Sequence, residues 1–225
     1  MRSLTLTLHY IAGWALVLAS LALVAFYVPQ REENLGGSYL IFFWHFPSAI
    51  GCLLFFILSG LASIAWMANR SETADRMALA AVEVGILGCT ITMVTGSIWA
   101  RAAWGLFWVW SDPRLMTVAI LWFTYLAYLA LRASIDFPAQ RARFSAVFGI
   151  IALINIPMVH FAIKIFGPRS HPMKLEADPE MRVTMWFGAL AFLVLYSAFW
   201  RSRLQVARLR DEEARIQETF AVRGI

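Results

Sequence analysis

The sequence is poor in charge and in cysteine, and each shortage excludes a class of protein. Only 15% of the 225 residues are charged and 60% are hydrophobic, whereas soluble domains are roughly 45–50% apolar. The two cysteines, Cys52 and Cys89, stand inside apolar stretches. Neither forms a C-x-x-C pair or the C-x-x-C-H motif of covalent haem attachment. We therefore expect two small buried residues, and no disulfide is indicated.

Phosphate-binding glycine loops are also missing, so the chain does not itself hydrolyse a nucleotide. What it has instead is long apolar runs, each near the roughly 20 residues that a helix needs to cross a bilayer. The first run is longer than the core of a signal peptide and is read as an uncleaved span. We predict an all-α integral membrane protein, a bundle of six transmembrane helices. The spans are expected at roughly 9–29, 39–67, 77–99, 115–132, 144–163 and 183–200.

Basic residues are distributed unequally between the two ends of such a bundle. The net charge is +5, and in a membrane protein this excess indicates cytoplasmic loops rather than nucleic-acid binding. Two connections on the side of the termini hold Arg70, Arg76, Arg132, Arg141 and Arg143. The connection between spans three and four holds only Arg101 and Arg114. Both termini are therefore predicted to be cytoplasmic, with this connection external.

The chain is expected to form one membrane domain followed by a tail. Residues 1–200 hold the six spans, and residues 201–225 are charged and favour a helix that continues the last span into the cytoplasm. This tail is either simply solvated or binds a partner. Glu83 is the one carboxylate well inside a span. It is expected to be protonated, to pair with Thr90 or Asn155, or to mark a polar pocket.

The external connection is rich in tryptophan. Residues 101–115 form this segment, and within it Trp104, Trp108 and Trp110 stand beside Phe107. Such a cluster is typical of an aromatic belt at the lipid headgroups. It also suits a planar apolar cofactor, because the rings offer flat area for a macrocycle. The residues alone leave both interpretations open.

Two histidines bracket this segment in sequence and, with the predicted topology, at the same membrane face. His45 and His171 are therefore candidate axial ligands of a haem iron. Arg101, Arg114 and Arg169 are candidates to bind the two haem propionates through paired hydrogen bonds. His160, after Asn155 and Pro157 in span five, is a rival second ligand. Because Pro47 follows His45 closely, His45 is expected to cap or precede its helix; His9 lies at the wrong end.

Three groups of residues carry a resemblance to a known family. They are Trp104-Gly105-x-x-Trp108-x-Trp110 with Asp112-Pro113-Arg114-Leu115, then His45-Phe46-Pro47-Ser48-Ala49, and Asn155-Ile156-Pro157. The first resembles the tryptophan-rich WWD signature of haem-handling proteins, although Ser111 separates Trp110 from Asp112. With six spans, the chain is most similar to the CcmC (haem exporter protein C) family of cytochrome c maturation.

The resemblance implies a function and a set of partners. Members hold haem b non-covalently and transiently at the external face of the bacterial inner membrane. They pass it to a membrane-anchored haem chaperone of CcmE type, beside ABC transporter subunits of CcmA and CcmB type and a small CcmD-type protein. The flanking histidines carry over to His45 and His171, and the aromatic platform to Trp104, Trp108 and Trp110 beside Asp112. Such a chain presents and transfers haem rather than acting as a conventional enzyme.

Two alternatives remain at this point. One is the haem delivery and ligation subunit of the other cytochrome c assembly route, although such proteins usually have more spans. The other is a membrane subunit of an exporter without a haem site, in which the tryptophans are an interface belt. The exporter hypothesis predicts a substrate path lined by groups near Glu83.

Overall fold

A computed structural model describes residues 2–28, 37–166 and 177–223, and their dominant structure is α-helix. A short 3₁₀ helix, Gly37–Ile41, leads into the second helix. The described residues contain no strand. The helices are α1 Arg2–Phe26, α2 Phe42–Asn69, α3 Glu72–Trp104, α4 Pro113–Ser134, α5 Pro138–Phe166 and α6 Pro179–Arg223.

All six helices are long and apolar enough to cross a membrane. The predicted six-span, all-α fold is therefore confirmed. Helices α3 to α6 extend beyond the predicted spans at both ends, because polar residues there add turns outside the apolar cores, whereas α1 ends at Phe26, before its predicted end. Helix α6 continues without a break from the last span through the charged tail to Arg223.

The connections between α2 and α3, between α3 and α4 and between α4 and α5 are short, and each makes its two helices antiparallel. The turn between α2 and α3 is the tightest: Arg70 adopts a left-handed conformation with φ of 55° and donates its N–H to the Trp66 carbonyl at 2.8 Å. Ser71 then caps α3 by accepting from the Ala74 N–H at 3.4 Å. We call the end of the bundle with this turn and both termini the terminal end, and the opposite end the tryptophan end.

Helix α2 lies at the centre of the bundle and packs against α3, α5 and α6, while α1 packs on α6 and α4 on α5. Its core includes a stacked pair, Phe56 and Tyr125, with ring centroids 4.0 Å apart. Both cysteines are buried, are not joined by a disulfide, and belong to the same apolar cluster as this pair. The expectation of two small buried thiols is thus confirmed.

The environment of Glu83 differs from the sequence-based expectation. Its carboxylate accepts two hydrogen bonds from Arg203 of α6, at 2.7 and 2.5 Å. Thr90 instead accepts from the Trp122 indole at 3.0 Å, and Asn155 donates to the Thr117 carbonyl on α4 at 3.1 Å. Glu83 therefore pairs with neither of the expected partners. Its partner, Arg203, lies on α6, 120 residues further along the sequence.

A second bidentate ion pair joins α3 to α4. Arg132 donates to both carboxylate oxygens of Asp75 at 2.6 and 2.8 Å. The two side chains are only 9% and 20% exposed. Removing one partner of a pair that is shielded from water leaves an uncompensated charge. Loss of either of these two pairs should therefore cost more stability than loss of an exposed ion pair at the terminal end.

Substitution of Glu83 is expected to destabilise the bundle. Glu83→Gln leaves the Arg203 guanidinium partly buried beside a neutral amide, and we expect a loss of about 1–2 kcal/mol, seen as a lower melting temperature in detergent. Arg215→Gln is the matched control, because its ion pair with Glu72 is about two-thirds exposed on both sides, and its cost is expected to be below about 0.5 kcal/mol. Equal effects of the two variants would contradict this ranking.

Candidate functional site

His45 lies in the first turn of α2 rather than capping or preceding the helix. The 3₁₀ helix Gly37–Ile41 runs directly into α2, so the helix begins at Phe42 and includes both His45 and Pro47. The expectation from Pro47 was therefore wrong. Pro47 is the sixth residue of α2 and therefore lies inside it, where its missing N–H removes the hydrogen bond that the Phe43 carbonyl would accept within the helix.

The imidazole of His45 is held against α3 by hydrogen bonds at one nitrogen. Its Nδ1 lies 3.0 Å from the Thr92 carbonyl oxygen, which can only accept, so Nδ1 is the protonated donor. The Thr95 hydroxyl lies 3.3 Å from the same nitrogen and itself donates to the Ile91 carbonyl at 2.6 Å. In the neutral ring this assigns the lone pair to Nε2, which is the form that binds a metal ion.

Gly96 provides the space in which this ring lies. A Cβ atom built at Gly96 would come within 2.9 Å of His45 Cε1 and 3.1 Å of Nδ1. Any larger residue would therefore push the imidazole away from α3 and from the Thr92 carbonyl. Together, Gly96 and the Thr92 carbonyl determine both the position and the tautomer of His45.

The tryptophan segment begins where α3 ends. Gly105 has a φ of 75°, a left-handed conformation that favours glycine, and it terminates the helix immediately after Trp104. The Arg101 side chain donates to the Gly105 carbonyl, and its guanidinium lies 5.7 Å from the centroid of the Phe107 ring. Arg101 therefore stabilises the C-terminal end of α3, the helix to which it belongs. Gly105 lies about 13 Å along the α3 axis from Gly96 at 1.5 Å per residue.

The three predicted platform tryptophans do not form one flat plate. Trp104 packs edge-on against Trp99, with centroids 5.2 Å apart and planes at 83°. Trp108 and Trp110 are 6.0 Å apart with planes at 63°. Trp110 is 71% exposed, so its ring is the one most open to a ligand or to lipid.

The Trp108 indole N–H is buried and has no hydrogen-bond partner in the described part of the chain. An unpaired buried donor is costly and is uncommon in native proteins. A ligand carrying an acceptor, such as a carboxylate, would satisfy it. This is the feature of the segment that favours a bound polar-edged molecule over a simple lipid belt.

Asp112 has a clear local role as the N-cap of α4. It is fully buried, and its Oδ1 accepts from the Arg114 and Leu115 N–H groups at 3.0 and 3.2 Å. Pro113 occupies the first helical position, where its missing N–H costs nothing. The Asp-Pro-Arg sequence therefore fixes the direction in which α4 leaves the tryptophan segment.

Arg114 differs from Arg101 in that, within the described part of the chain, its side chain does not close the end of a helix. Its guanidinium is assigned no hydrogen bond within residues 2–28, 37–166 and 177–223, although the carboxylate of Asp112 lies close enough to attract it. Of the candidate propionate partners in these ranges, Arg114 is the one able to offer its full donor set to a ligand.

The remaining predicted ligands fall mostly outside the described residues. His171 and Arg169 lie in the undescribed range 167–176. His160 belongs to α5, but the description does not extend to its side chain. His9 is at the terminal end as expected, where its two nitrogens lie 2.9 Å from the Ser197 hydroxyl and 3.0 Å from Arg201. Sequence reasoning missed Thr92, Thr95, Gly96 and Trp99. For Thr92, Thr95 and Gly96, the sequence signal was their helical spacing, which places three small residues on one face of α3.

Comparison with known proteins adds family information to this geometry. The family model described as "Heme exporter protein C" (CcmC) matches residues 1–219. A Heme exporter protein C of Bradyrhizobium diazoefficiens is 28% identical over 94% of this chain and 81% of its own length. That of Escherichia coli strain K12 is 26% identical over 96% and 94%, respectively. A cytochrome c biosynthesis ccmC-like mitochondrial protein of Marchantia polymorpha is 31% identical over 84% and 79%.

The capping role of Asp112 predicts a stability effect that depends on one carboxylate oxygen. Asp112→Ala removes the acceptor for two α4 N–H groups and is expected to cost about 1–2 kcal/mol, measured as a lower melting temperature. Asp112→Asn keeps an acceptor oxygen and serves as the control, with a loss of less than about half of that. An alanine variant as stable as the wild type would contradict the capping role.

Proposed function

The chain belongs to the Heme exporter protein C (CcmC) family, and from this premise we propose that it binds haem at the tryptophan end and delivers it for cytochrome c maturation. The acceptor is a membrane-anchored chaperone of CcmE type, and the chain works beside CcmA-, CcmB- and CcmD-type subunits. The terminal end faces the cytoplasm and the tryptophan end faces the periplasm, which agrees with the distribution of arginines. Haem is cargo here, so its binding is non-covalent and transient.

The observation that carries this proposal is the short contact between His45 Nδ1 and the Thr92 carbonyl oxygen. A metal-binding histidine usually donates its other ring N–H to a carbonyl or carboxylate, and this orients the ring. His45 does so toward the Thr92 carbonyl at 3.0 Å. Its Nε2 is then the nitrogen that binds the haem iron as one axial ligand.

The rest of the site suits the edges of a porphyrin. Trp110 offers an exposed apolar surface, and the Trp108 N–H lacks an acceptor among the described residues. Haem supplies two propionates, which would accept from Trp108 and from the Arg114 guanidinium. We assign the second axial position to His171, with His160 as its rival. We assign Trp104 and Arg101 to shaping the segment, with Asp112 holding α4 in position.

The exporter alternative finds less support. It depended on Glu83 lining a substrate path, but both oxygens of that carboxylate are engaged by Arg203. A paired carboxylate of this kind stabilises the helix packing and is not available to a substrate. Proteins of the other assembly route usually have more spans than the six found among the described residues.

The function is tested by the absorption spectrum of the purified protein after expression with haem. Wild type is expected to show a Soret band, and His45→Ala is expected to retain at least about tenfold less haem, because an iron–nitrogen bond is lost. Gly96→Ala should lower and shift the band, since the added methyl group displaces the ring. His9→Ala is the matched control and should leave the spectrum unchanged.

The same spectra also decide the second ligand. A loss with His171→Ala and none with His160→Ala supports His171, whereas the reverse result supports His160. A wild-type protein without a Soret band, or a His45→Ala variant with an unaltered one, would refute the proposed site.

The assignment of Arg114 is tested with haem and haem dimethyl ester, which lacks the two carboxylates. Arg114→Gln is expected to weaken haem binding about tenfold, because a charge-assisted hydrogen bond contributes roughly 1.5–3 kcal/mol. Binding of the ester should change little. Arg101→Gln is the control and should affect both porphyrins to the same extent, since Arg101 already binds Gly105. Equal losses for both porphyrins with Arg114→Gln would contradict the assignment.

A further inference from the structure

The charged tail of α6 is fixed to α3 along one side. Beyond Arg203, which binds Glu83, Asp211 accepts from Arg76 at 2.8 Å, and Arg215 donates to Glu72 at 2.6 Å. Steps of eight and four residues along α6 are matched by steps of seven and four in the opposite direction along α3. The two helices therefore run side by side and antiparallel over three successive contacts.

The other side of the tail carries an apolar stripe. Leu209, Ile216 and Phe220 are 64%, 56% and 51% exposed. Their spacing of seven and four residues places them on one face of the helix, roughly opposite Asp211 and Arg215 at 100° per residue. Single exposed apolar residues are ordinary, but an aligned set at the polar end of a membrane bundle indicates an interaction surface. We call these three residues the tail stripe.

Acidic residues accompany the tail stripe. Glu212 and Glu213 are both exposed and lie between Leu209 and Ile216 in sequence. Both point closer to the stripe than to the face that meets α3, by the same helical geometry. Neither appears in an ion pair among the described residues. The surface is therefore apolar in its centre and negative beside it.

This charge arrangement distinguishes among the possible occupants. A second copy paired antiparallel, with Leu209 against Ile216, would place Glu212 of one chain opposite Glu213 of the other. A parallel pair would place Glu213 opposite Glu213. Both arrangements bring like charges together. An anionic membrane surface is also unfavourable, because the glutamates repel it and the contacts with α3 prevent the tail from lying flat.

We propose that the tail stripe, with Glu212 and Glu213, is a docking surface for an amphipathic helix of another protein that carries Lys or Arg beside its apolar residues. Apolar side chains of that helix cover Leu209, Ile216 and Phe220, and its cations pair with the two glutamates. The surface lies at the terminal end, so it is separate from the site around His45 and does not depend on haem binding.

The test places a photo-crosslinking residue, p-benzoylphenylalanine, at Leu209 or Ile216 of the full chain in its native cells. Arg210 is the matched control position, because it is also exposed but points about 100° away from Leu209 along the helix. We expect adducts from Leu209 and Ile216 at yields at least about fivefold above Arg210. Mass spectrometry should place each adduct on a segment of another protein with basic residues flanking apolar ones.

Charge reversal supplies the second readout. Glu212→Lys with Glu213→Lys, made in the chain carrying the crosslinker at Ile216, should lower the adduct yield about tenfold, which corresponds to roughly 1.4 kcal/mol. Arg210→Glu should not lower it. Adducts to lipid, to a second copy of this chain or to an acidic segment would overturn the proposal. So would equal yields at all three positions, the absence of any adduct, or indifference to charge reversal.

Discussion

The contact between His45 and the Thr92 carbonyl is the interaction on which the tryptophan end depends. It joins the first turn of α2 to the second half of α3, and these are the two helices that frame the candidate site. The same carbonyl also accepts a hydrogen bond from the Thr95 hydroxyl at 3.2 Å. It belongs to the backbone of α3, so its position is set by the helix and not by a mobile side chain. A backbone acceptor gives the imidazole a fixed reference point, and the missing side chain of Gly96 lets the ring reach it.

The two ends of the bundle are stabilised by different means. At the terminal end, bidentate pairs such as Arg132 with Asp75 and Arg203 with Glu83 join residues on different helices that are 57 and 120 positions apart in sequence. At the tryptophan end, Arg101 and Asp112 make local hydrogen bonds instead: Arg101 closes α3 and Asp112 caps the start of α4. Charged pairs thus hold the bundle together at one end, while the residues between α3 and α4 keep exposed aromatic surface at the other.

Much of the fold could be predicted from sequence, because a bilayer imposes a length and a polarity on each span. The six helices and the buried cysteines followed from this constraint. The start of α2 was not predicted correctly. Pro47 indicated a helix boundary near His45, but the preceding 3₁₀ helix leads into a helix that begins at Phe42. The sequence also did not predict which side chains pair between helices. Arg203 approaches Glu83 only because α6 remains helical past its apolar part, and no spacing along the chain encodes that meeting.

The candidate site shows the same limit. Residue types identified His45 and the tryptophan segment, but the planes of Trp104, Trp108 and Trp110 depend on how α3 ends at Gly105. Asp112 followed by Pro113 is also a pattern typical of a helix start, whereas the resemblance to the haem-handling signature predicted a role in binding the cofactor. Thr92, Thr95 and Gly96 were missed because they act on His45 through space, across two helices about 50 residues apart.

The acceptor for His45 also bears on the proposed delivery of haem. A carboxylate partner would draw the Nδ1 proton and give the imidazole more anionic character, which strengthens its bond to iron. His45 donates to a neutral amide carbonyl, so in the proposed function its Nε2 would be oriented by this hydrogen bond but would be a weaker donor to iron. A protein that retains its haem gains from the first arrangement, whereas one that transfers it to an acceptor gains from the second. In the proposed function, the Thr92 carbonyl therefore orients the ligand while keeping its bond to iron weak enough to be exchanged for that of the acceptor.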